Sequence, residues 1–160
     1  MPRGLIDADL SSIVPSSKDW ANGNVSYWIS MIGTLEHMIG YGELFWPDFI
    51  EHDDCILKRE AVDEESYRDW LSRFEGDKQA VESMINHVDL IYLVENPDDN
   101  EQTDEQRSYL GRLLREMWQA KLARQFPERN LVVELSDEPE GEPLITVYQR
   151  RSLEDQIKIQ

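Results

Sequence analysis

Residues 104–126 read DEQRSYLGRLLREMWQAKLARQF, and this stretch decides the fold. Thr103 and Gln106 have the spacing of a capping box at a helix start, and Pro127 ends the pattern. The apolar side chains recur at three- and four-residue steps, the period of one helical face. They are Leu110, Leu113, Leu114, Met117, Trp118 and Leu122. We therefore predict a long central helix against which the rest of the core packs.

Two strands are predicted directly after this helix. Residues 130–136 and 144–150 alternate in polarity and are rich in β-branched and aromatic side chains. Residues 138–143, EPEGEP, separate them and have the composition of a loop. The pattern predicts a C-terminal β-hairpin, followed by a frayed tail over residues 152–160.

Helices are also predicted on the N-terminal side of the central helix. Asp63 and Asp77 each precede an apolar stripe at helical spacing, and these stripes extend to Phe74 and Tyr92. An earlier stripe begins after Asn24; it comprises Val25, Trp28, Ile29, Ile32, Leu35 and Ile39. We predict one amphipathic helix there with its apolar face in the core, ended by the glycines at 40 and 42.

The remaining segments complete an α+β fold. Residues 49–58 have two short apolar runs around a polar centre, which favours a second hairpin. Residues 1–22 have few hydrophobic anchors, so we expect a loosely ordered arm there. The prediction is about four helices packed on a small antiparallel sheet, in one compact domain over residues 23–151.

The composition excludes several classes of protein. The chain has 160 residues with 33 acidic against 16 basic side chains, and its formal charge is −17. Nucleic acids and anionic membranes attract clustered Lys and Arg, so direct binding to either is not expected. The single cysteine, Cys55, allows no internal disulfide and reads as a small core residue. No apolar run reaches about 18 residues and no phosphate-loop motif occurs, so we expect a cytoplasmic protein without a cofactor.

The charge is unevenly distributed along the chain. Residues 41–105 contain 20 acids and 5 bases, whereas residues 106–129 contain 2 acids and 6 bases. One interpretation is that the acids form solvated helix faces that only keep the protein soluble. The other is that they form a docking surface, which would steer a basic protein partner into contact.

Three aromatic residues near Pro47 suggest where such a surface would lie. Phe45, Trp46 and Phe49 either plug the core from a loop or form an aromatic anchor rimmed by charge. With the acids that follow them, the predicted partner-binding set is Phe45, Trp46, Phe49, Glu51, Asp53 and Asp54.

Two further sets of polar residues are candidates for other roles. Glu36 falls within the apolar arc of its predicted helix, so it is either a buried carboxylate with a partner or reaches water at the helix end. His52, Asp53 and Asp54 offer a mixed nitrogen and oxygen set that is a weak candidate for metal binding. No histidine pair has metal-ligand spacing on one helix, and we assign no catalytic residue.

These observations favour a non-catalytic protein that binds another protein, in its most concrete form an inhibitor or immunity-like protein with a basic partner. One alternative is a small metal-binding protein or enzyme that uses Glu36, His37, His52 and nearby aspartates. Another is a structural homodimer. Two stretches, LFWPDFI at 44–50 and AVESMINH at 80–87, resemble segments of bacterial proteins of unknown function, and this resemblance implies no activity.

Overall fold

The computed structural model describes residues 10–93, 103–136 and 143–151. Its helices are α1 (Leu10–Ile13), α2 (Ser16–Ala21), α3 (Val25–Ile32), α4 (Leu35–Phe45), α5 (Glu64–Arg73), α6 (Lys78–Ile85) and α7 (Asp104–Gln125), with a 3-10 turn at Arg59–Ala61. Its strands are β1 (Phe49–His52), β2 (Cys55–Lys58), β3 (Val88–Asp89), β4 (Leu131–Ser136) and β5 (Leu144–Gln149). The predicted α+β class is confirmed.

The strands form two antiparallel sheets. Strands β1 and β2 make a hairpin, and the second sheet has the order β3-β5-β4. Both predicted hairpins are therefore confirmed. The helix predicted to run from Asp77 to Tyr92 ends instead at Ile85, and Val88 pairs with Ile145 in the sheet. Asn86 is the residue at which the chain leaves the helix.

Helix α7 lies across the second sheet and carries the main core. The capping box of Thr103 and Gln106 is present, as predicted. A Cβ atom at Gly111 would lie 2.7 Å from Leu135 and 2.8 Å from Leu90, so glycine lets the helix approach the sheet closely. The buried members of this core are Phe49, Ile56, Leu90, Leu114, Trp118, Leu122, Val133, Ile145 and Val147.

A smaller cluster fills the space between the first hairpin and helices α5 and α6. Its buried members are Cys55, Leu57, Tyr67 and Val81, which confirms the core position predicted for the cysteine. The predicted caps Asp63 and Asp77 both accept hydrogen bonds from backbone N–H groups in the first turns of their helices. The apolar contacts of this cluster pack α5 and α6 against β2.

The N-terminal part differs most from its prediction. Within residues 10–22, expected to be loosely ordered, α1 and α2 form and bury Ile13, Ser17 and Ala21. The expected single helix is broken at Gly33, which is extended, and α4 then runs on past the glycines at 40 and 42 to Phe45. Residues 1–9 and 152–160, predicted as arm and tail, lie outside the described residues.

Candidate docking surface

Helices α3 and α4 are well-formed elements with a side-chain cap at each start. The Asn24 side chain accepts a hydrogen bond from the Tyr27 N–H, and the Thr34 hydroxyl accepts one from the His37 N–H. Such caps satisfy backbone donors that the first helical turn leaves without a partner. At the other end, the Trp118 indole donates to the Leu44 carbonyl at 2.9 Å and ties α4 to α7.

Most side chains of α3 and α4 are nevertheless open to solvent, and no residue of either helix is buried. Of the apolar face predicted to lie in the core, Val25 and Trp28 are partly covered, whereas Ile29, Ile32, Leu35 and Ile39 are exposed. Leu35 is 82% exposed and Ile39 is 73% exposed. With the Trp46 that follows, nine large apolar side chains are exposed here: Tyr27, Ile29, Met31, Ile32, Leu35, Met38, Ile39, Tyr41 and Trp46. We call this set the helical apolar surface.

The side chains of the helical apolar surface together expose a large apolar area, on more than one side of the two helices. At these exposed fractions each side chain presents roughly 100 Å², so the set presents on the order of 900 Å². A standard interface buries about 800 Å² on each partner. Monomeric proteins seldom expose apolar patches beyond a few hundred Å² unless they serve recognition.

The charged residues of α3 and α4 are acidic. Glu36 and Glu43 are exposed on α4, and no Lys or Arg occurs in the sequence between Lys18 and Lys58. A cation lies beside Trp46: the ammonium of Lys121 on α7 is 5.8 Å from the centre of the Trp46 ring. The surface is therefore apolar with an acidic margin.

The aromatic residues around Pro47 divide between surface and core. Trp46 is 40% exposed, whereas Phe49 is fully buried. The ring of Phe49 packs edge-to-face on that of Trp118, with 6.0 Å between the ring centres. Phe45 is partly buried against the core. Of the three predicted anchors, Trp46 alone belongs to the helical apolar surface, and Phe49 is a core residue.

The three acids of the predicted partner-binding set are held by bases of the same chain. Arg129 contacts Glu51 and Asp54, each at 2.6 Å, and Lys78 lies 3.2 Å from Asp53. Each carboxylate therefore has a cation beside it within the fold. We place the candidate site on the helical apolar surface and leave these acids out of it.

The turn at Asp53 and Asp54 has a structural role of its own. Both residues have positive φ, 47° and 62°, as both central residues of a type I′ hairpin turn do. That conformation suits glycine and asparagine better than aspartate. Donors from distant elements hold the turn: Lys78 and Arg151 each bond a turn carbonyl at 2.7 Å, on Asp53 and Asp54 respectively.

The side chain of Asp53 joins this turn to the second core cluster. The Tyr67 hydroxyl donates to Asp53 at 2.9 Å and lies 3.6 Å from the Cys55 Sγ. This hydrogen bond, with the ammonium of Lys78, holds the pKa of Asp53 below its usual range. Burial raises the pKa of Cys55 to about 11, so the thiol is protonated at neutral pH and is a poor nucleophile.

The histidines do not converge with the aspartates on a metal site. His52 lies 3.3 Å from Glu64 and packs edge-to-face on Tyr67, and His37 is exposed on α4 beside Tyr41. Within residues 10–93, 103–136 and 143–151, no three or more His, Cys, Asp or Glu side chains form a group that could hold a metal ion.

The buried carboxylate is Glu82 of α6, whereas Glu36 is exposed. Glu82 Oε1 accepts from the Ile56 N–H at 2.7 Å, and Oε2 accepts from the Gln149 N–H at 2.7 Å and from Arg151 at 2.8 Å. Arg151 supplies the compensating charge. Every buried side-chain nitrogen and oxygen in the described part of the chain has a hydrogen-bond partner.

Asn86 is four residues after Glu82 and makes similar hydrogen bonds to the same two strands. Its side chain accepts from the Lys58 N–H and donates to the carbonyls of Ile56 and Val147. Four helical residues rise about 6.0 Å and two strand residues about 6.6 Å, so the spacing of α6 fits the facing edges of β2 and β5. Side chains of one helix thus join the two sheets.

Sequence reasoning missed both main features of the site region. Glu82 and Asn86 are four residues apart beside the apolar residues Val81 and Ile85, but this spacing alone does not show that donors from two strands meet them. The signal for the exposed helices was Gly33 followed by Thr34, a break and a new cap inside an apolar stripe.

Two further findings concern membrane-spanning helices and similarity to known proteins. In the described ranges, no helix combines the length and apolarity needed to cross a bilayer. No protein-family model, curated protein or solved structure matches the chain.

Proposed function

We propose that this protein is non-catalytic and binds another protein through the helical apolar surface. The observation that carries the proposal is the exposure of nine large apolar side chains, eight on two capped helices without a buried residue and the ninth on the Trp46 that follows them. A helix that is apolar on several sides is ordinarily covered by protein or lipid. Covering these side chains would contribute a favourable free energy of roughly 25 cal/mol per Å² of apolar area removed from water.

The acidic margin specifies the chemistry of the partner. Glu36 and Glu43 favour a partner whose apolar face is flanked by Lys or Arg, and the net charge of −17 would steer such a partner into contact. A second copy would bring the same carboxylates and the same net charge, which opposes self-association at low salt. Anionic lipid is disfavoured for the same reason.

The most concrete form of this function is an inhibitor or immunity-like protein that covers an apolar patch on a cationic protein. Electrostatic steering would supply a high association rate, and the apolar contact would supply a low dissociation rate. In this interpretation the protein itself performs no chemical step, and the partner's activity is blocked by steric cover.

The first experiment uses two synthetic helical peptides with the same leucine face. One has lysine on its polar face and the other has glutamate, and titration calorimetry measures their affinities for the full chain. We expect the lysine peptide to bind at least about tenfold more tightly, and its affinity to fall between 50 and 500 mM salt because the charges are screened. Equal affinities, or an affinity independent of salt, would contradict the acidic margin.

Variants locate the binding site on the protein. Tyr27 and Tyr92 are 56% and 60% exposed, and Tyr27 alone belongs to the helical apolar surface. We expect Tyr27→Gln and Ile39→Gln to weaken the lysine peptide at least about fivefold, because each removes apolar contact area. Tyr92→Gln is the matched control and should leave affinity unchanged; equal effects of the two tyrosine variants would refute the assignment.

Light scattering on the free protein tests the alternative that the protein is a homodimer. We expect a monomer at 50 mM salt. A dimer that Leu35→Gln dissociates would show that the occupant of the surface is a second copy, and it would overturn the proposed partner.

A further inference from the structure

Among the residues that the structure describes, strand β4 is an edge strand of the second sheet. In the described part of the chain, β4 has a neighbouring strand on its β5 side only. On β5, the carbonyl of Val147 and the N–H of Gln149 turn toward α6, where they bond Asn86 and Glu82. Because successive residues of a strand turn their backbone groups to opposite sides, Thr146 and Tyr148 bond β4.

The same alternation shows which groups of β4 point outward. Thr146 and Tyr148 lie opposite Glu134 and Val132. The residues between and beyond them, Val133 and Leu135, therefore direct their N–H and C=O groups away from β5. An edge of this kind is a ready template for pairing with another extended chain.

A groove runs beside this edge, between β4 and the C-terminal half of α7. It encloses about 340 Å³ and is lined by Gln119, Leu122, Ala123, Phe126, Pro127, Arg129, Leu131 and Val133. Ala123 is a small exposed residue on the helical wall, so the groove is open where β4 is free. The guanidinium of Arg129 is already paired with Glu51 and Asp54, which leaves the wall mainly apolar.

We infer that the free edge of β4 and the groove beside it bind an extended segment of a basic partner protein as an added strand. The backbone of the segment pairs with the outward groups of Val133 and Leu135. In an added strand, alternate side chains face α7, so apolar residues at i and i+2 enter the groove. This site is separate from the helical apolar surface and does not depend on it.

A charge on the face of the sheet away from α7 determines which residue suits position i+1 of the added strand, between the two apolar residues at i and i+2. Glu134 is exposed and lies on the face away from α7, so a lysine or arginine in the added strand stands opposite a carboxylate. A second copy paired antiparallel through Val133 and Leu135 would instead place Glu134 against its own counterpart. Like charges directly opposite each other destabilise a strand pair, so β4 of another copy is the poorer occupant.

The test uses the full chain and the peptide acetyl-Thr-Val-Lys-Val-Lys-Val-Thr-amide, with amide hydrogen exchange followed by NMR. In the free protein we expect the amides of Val133 and Leu135 to exchange faster than those of Val132 and Glu134. Saturating peptide should slow the first two at least about tenfold, because they become donors in a ladder. Slow exchange of Val133 and Leu135 without peptide would show that the edge is already covered, and would overturn the proposal.

Two controls separate strand addition from attraction of a basic peptide to an acidic protein. A peptide N-methylated on its second and third valines keeps its charge but loses two donors, and we expect it to bind at least about tenfold more weakly. Ala123→Gln fills the groove and should weaken the unmodified peptide about fivefold. Ala120→Gln, also exposed on α7 but outside the groove, should not. Equal binding of both peptides, or equal effects of both variants, would refute the site.

Discussion

Replacing Glu82 by glutamine tests whether the buried bridge between the two sheets is required for stability. Glu82 is fully buried and accepts four hydrogen bonds, from the backbone of Ile56, the backbone and side chain of Gln149, and the guanidinium of Arg151. Glutamine has the same shape and one oxygen fewer. Whichever way its amide is turned, the NH₂ group faces two donors that an oxygen accepted before.

The loss of those acceptors determines how far Glu82→Gln lowers the free energy of unfolding. Each buried donor left without an acceptor costs about 1–3 kcal/mol. Breaking a buried ion pair by removing one partner costs about 3–5 kcal/mol in other proteins. Because the two costs describe the same atoms, we expect Glu82→Gln to lower the free energy of unfolding by about 3–5 kcal/mol, a large share of the 5–15 kcal/mol typical of a domain.

Urea unfolding followed by tryptophan fluorescence measures this change. With a slope of about 2 kcal/mol per molar urea, the midpoint should fall by about 2 M. Glu116→Gln, exposed on α7, is the matched control and should change stability by less than about 0.5 kcal/mol. A loss under about 1 kcal/mol for Glu82→Gln would refute the reasoning, because the bridge would then be dispensable.

Three further predictions concern the turn, the thiol and a helix end. Asp53→Asn should change the free energy of unfolding by less than about 1 kcal/mol at pH 7, because the residue is exposed and asparagine suits its positive φ. Tyr67 and Lys78 lower the pKa of Asp53, so the stability that its carboxylate contributes is present above about pH 4 and is lost as the pH falls further. Urea unfolding should therefore show the wild type losing stability relative to the variant between pH 5 and pH 2. Cys55 is buried with its pKa raised to about 11, so a disulfide reagent at pH 8 should modify it at least about a hundredfold more slowly in the native than in the urea-unfolded protein. Gly76 has φ of 85° with open space around it, so Gly76→Ala should cost about 1 kcal/mol through backbone strain alone, measured as a shift in the urea midpoint.

Sequence patterns identified the elements whose formation depends on local signals. The capping box of Thr103 and Gln106 fixed the start of α7, and the alternation over 130–150 identified the C-terminal hairpin. The hairpin at Asp53 and Asp54 was also found, although its turn has no glycine. Each of these signals lies within a few residues of the structure that it predicts.

The failures have a common physical cause. A helical stripe shows which face is apolar but not whether anything packs against it, so Ile39 was expected in the core and is exposed. For Glu36, the angle on the helix left both burial and exposure to water open, and the structure shows it exposed. A carboxylate is tolerated inside only where free N–H groups meet it. Glu82 has such donors because β2 and β5 bring Ile56 and Gln149 to it, a tertiary coincidence that spacing along the chain does not encode.

The hydrogen bonds that Glu82 and Asn86 make to β2 and β5 restrict where residues can be inserted or deleted in the course of evolution. One insertion within β2 would reverse which strand residues face the helix, and one insertion within α6 would turn an acceptor about 100° away from its donor. Changes of length are therefore compatible with the fold in the connections but not between these anchoring pairs. In diverged descendants, residues 55–58 and 78–86 should keep their lengths while the surrounding connections grow and shrink, a signature that an alignment of such sequences would reveal.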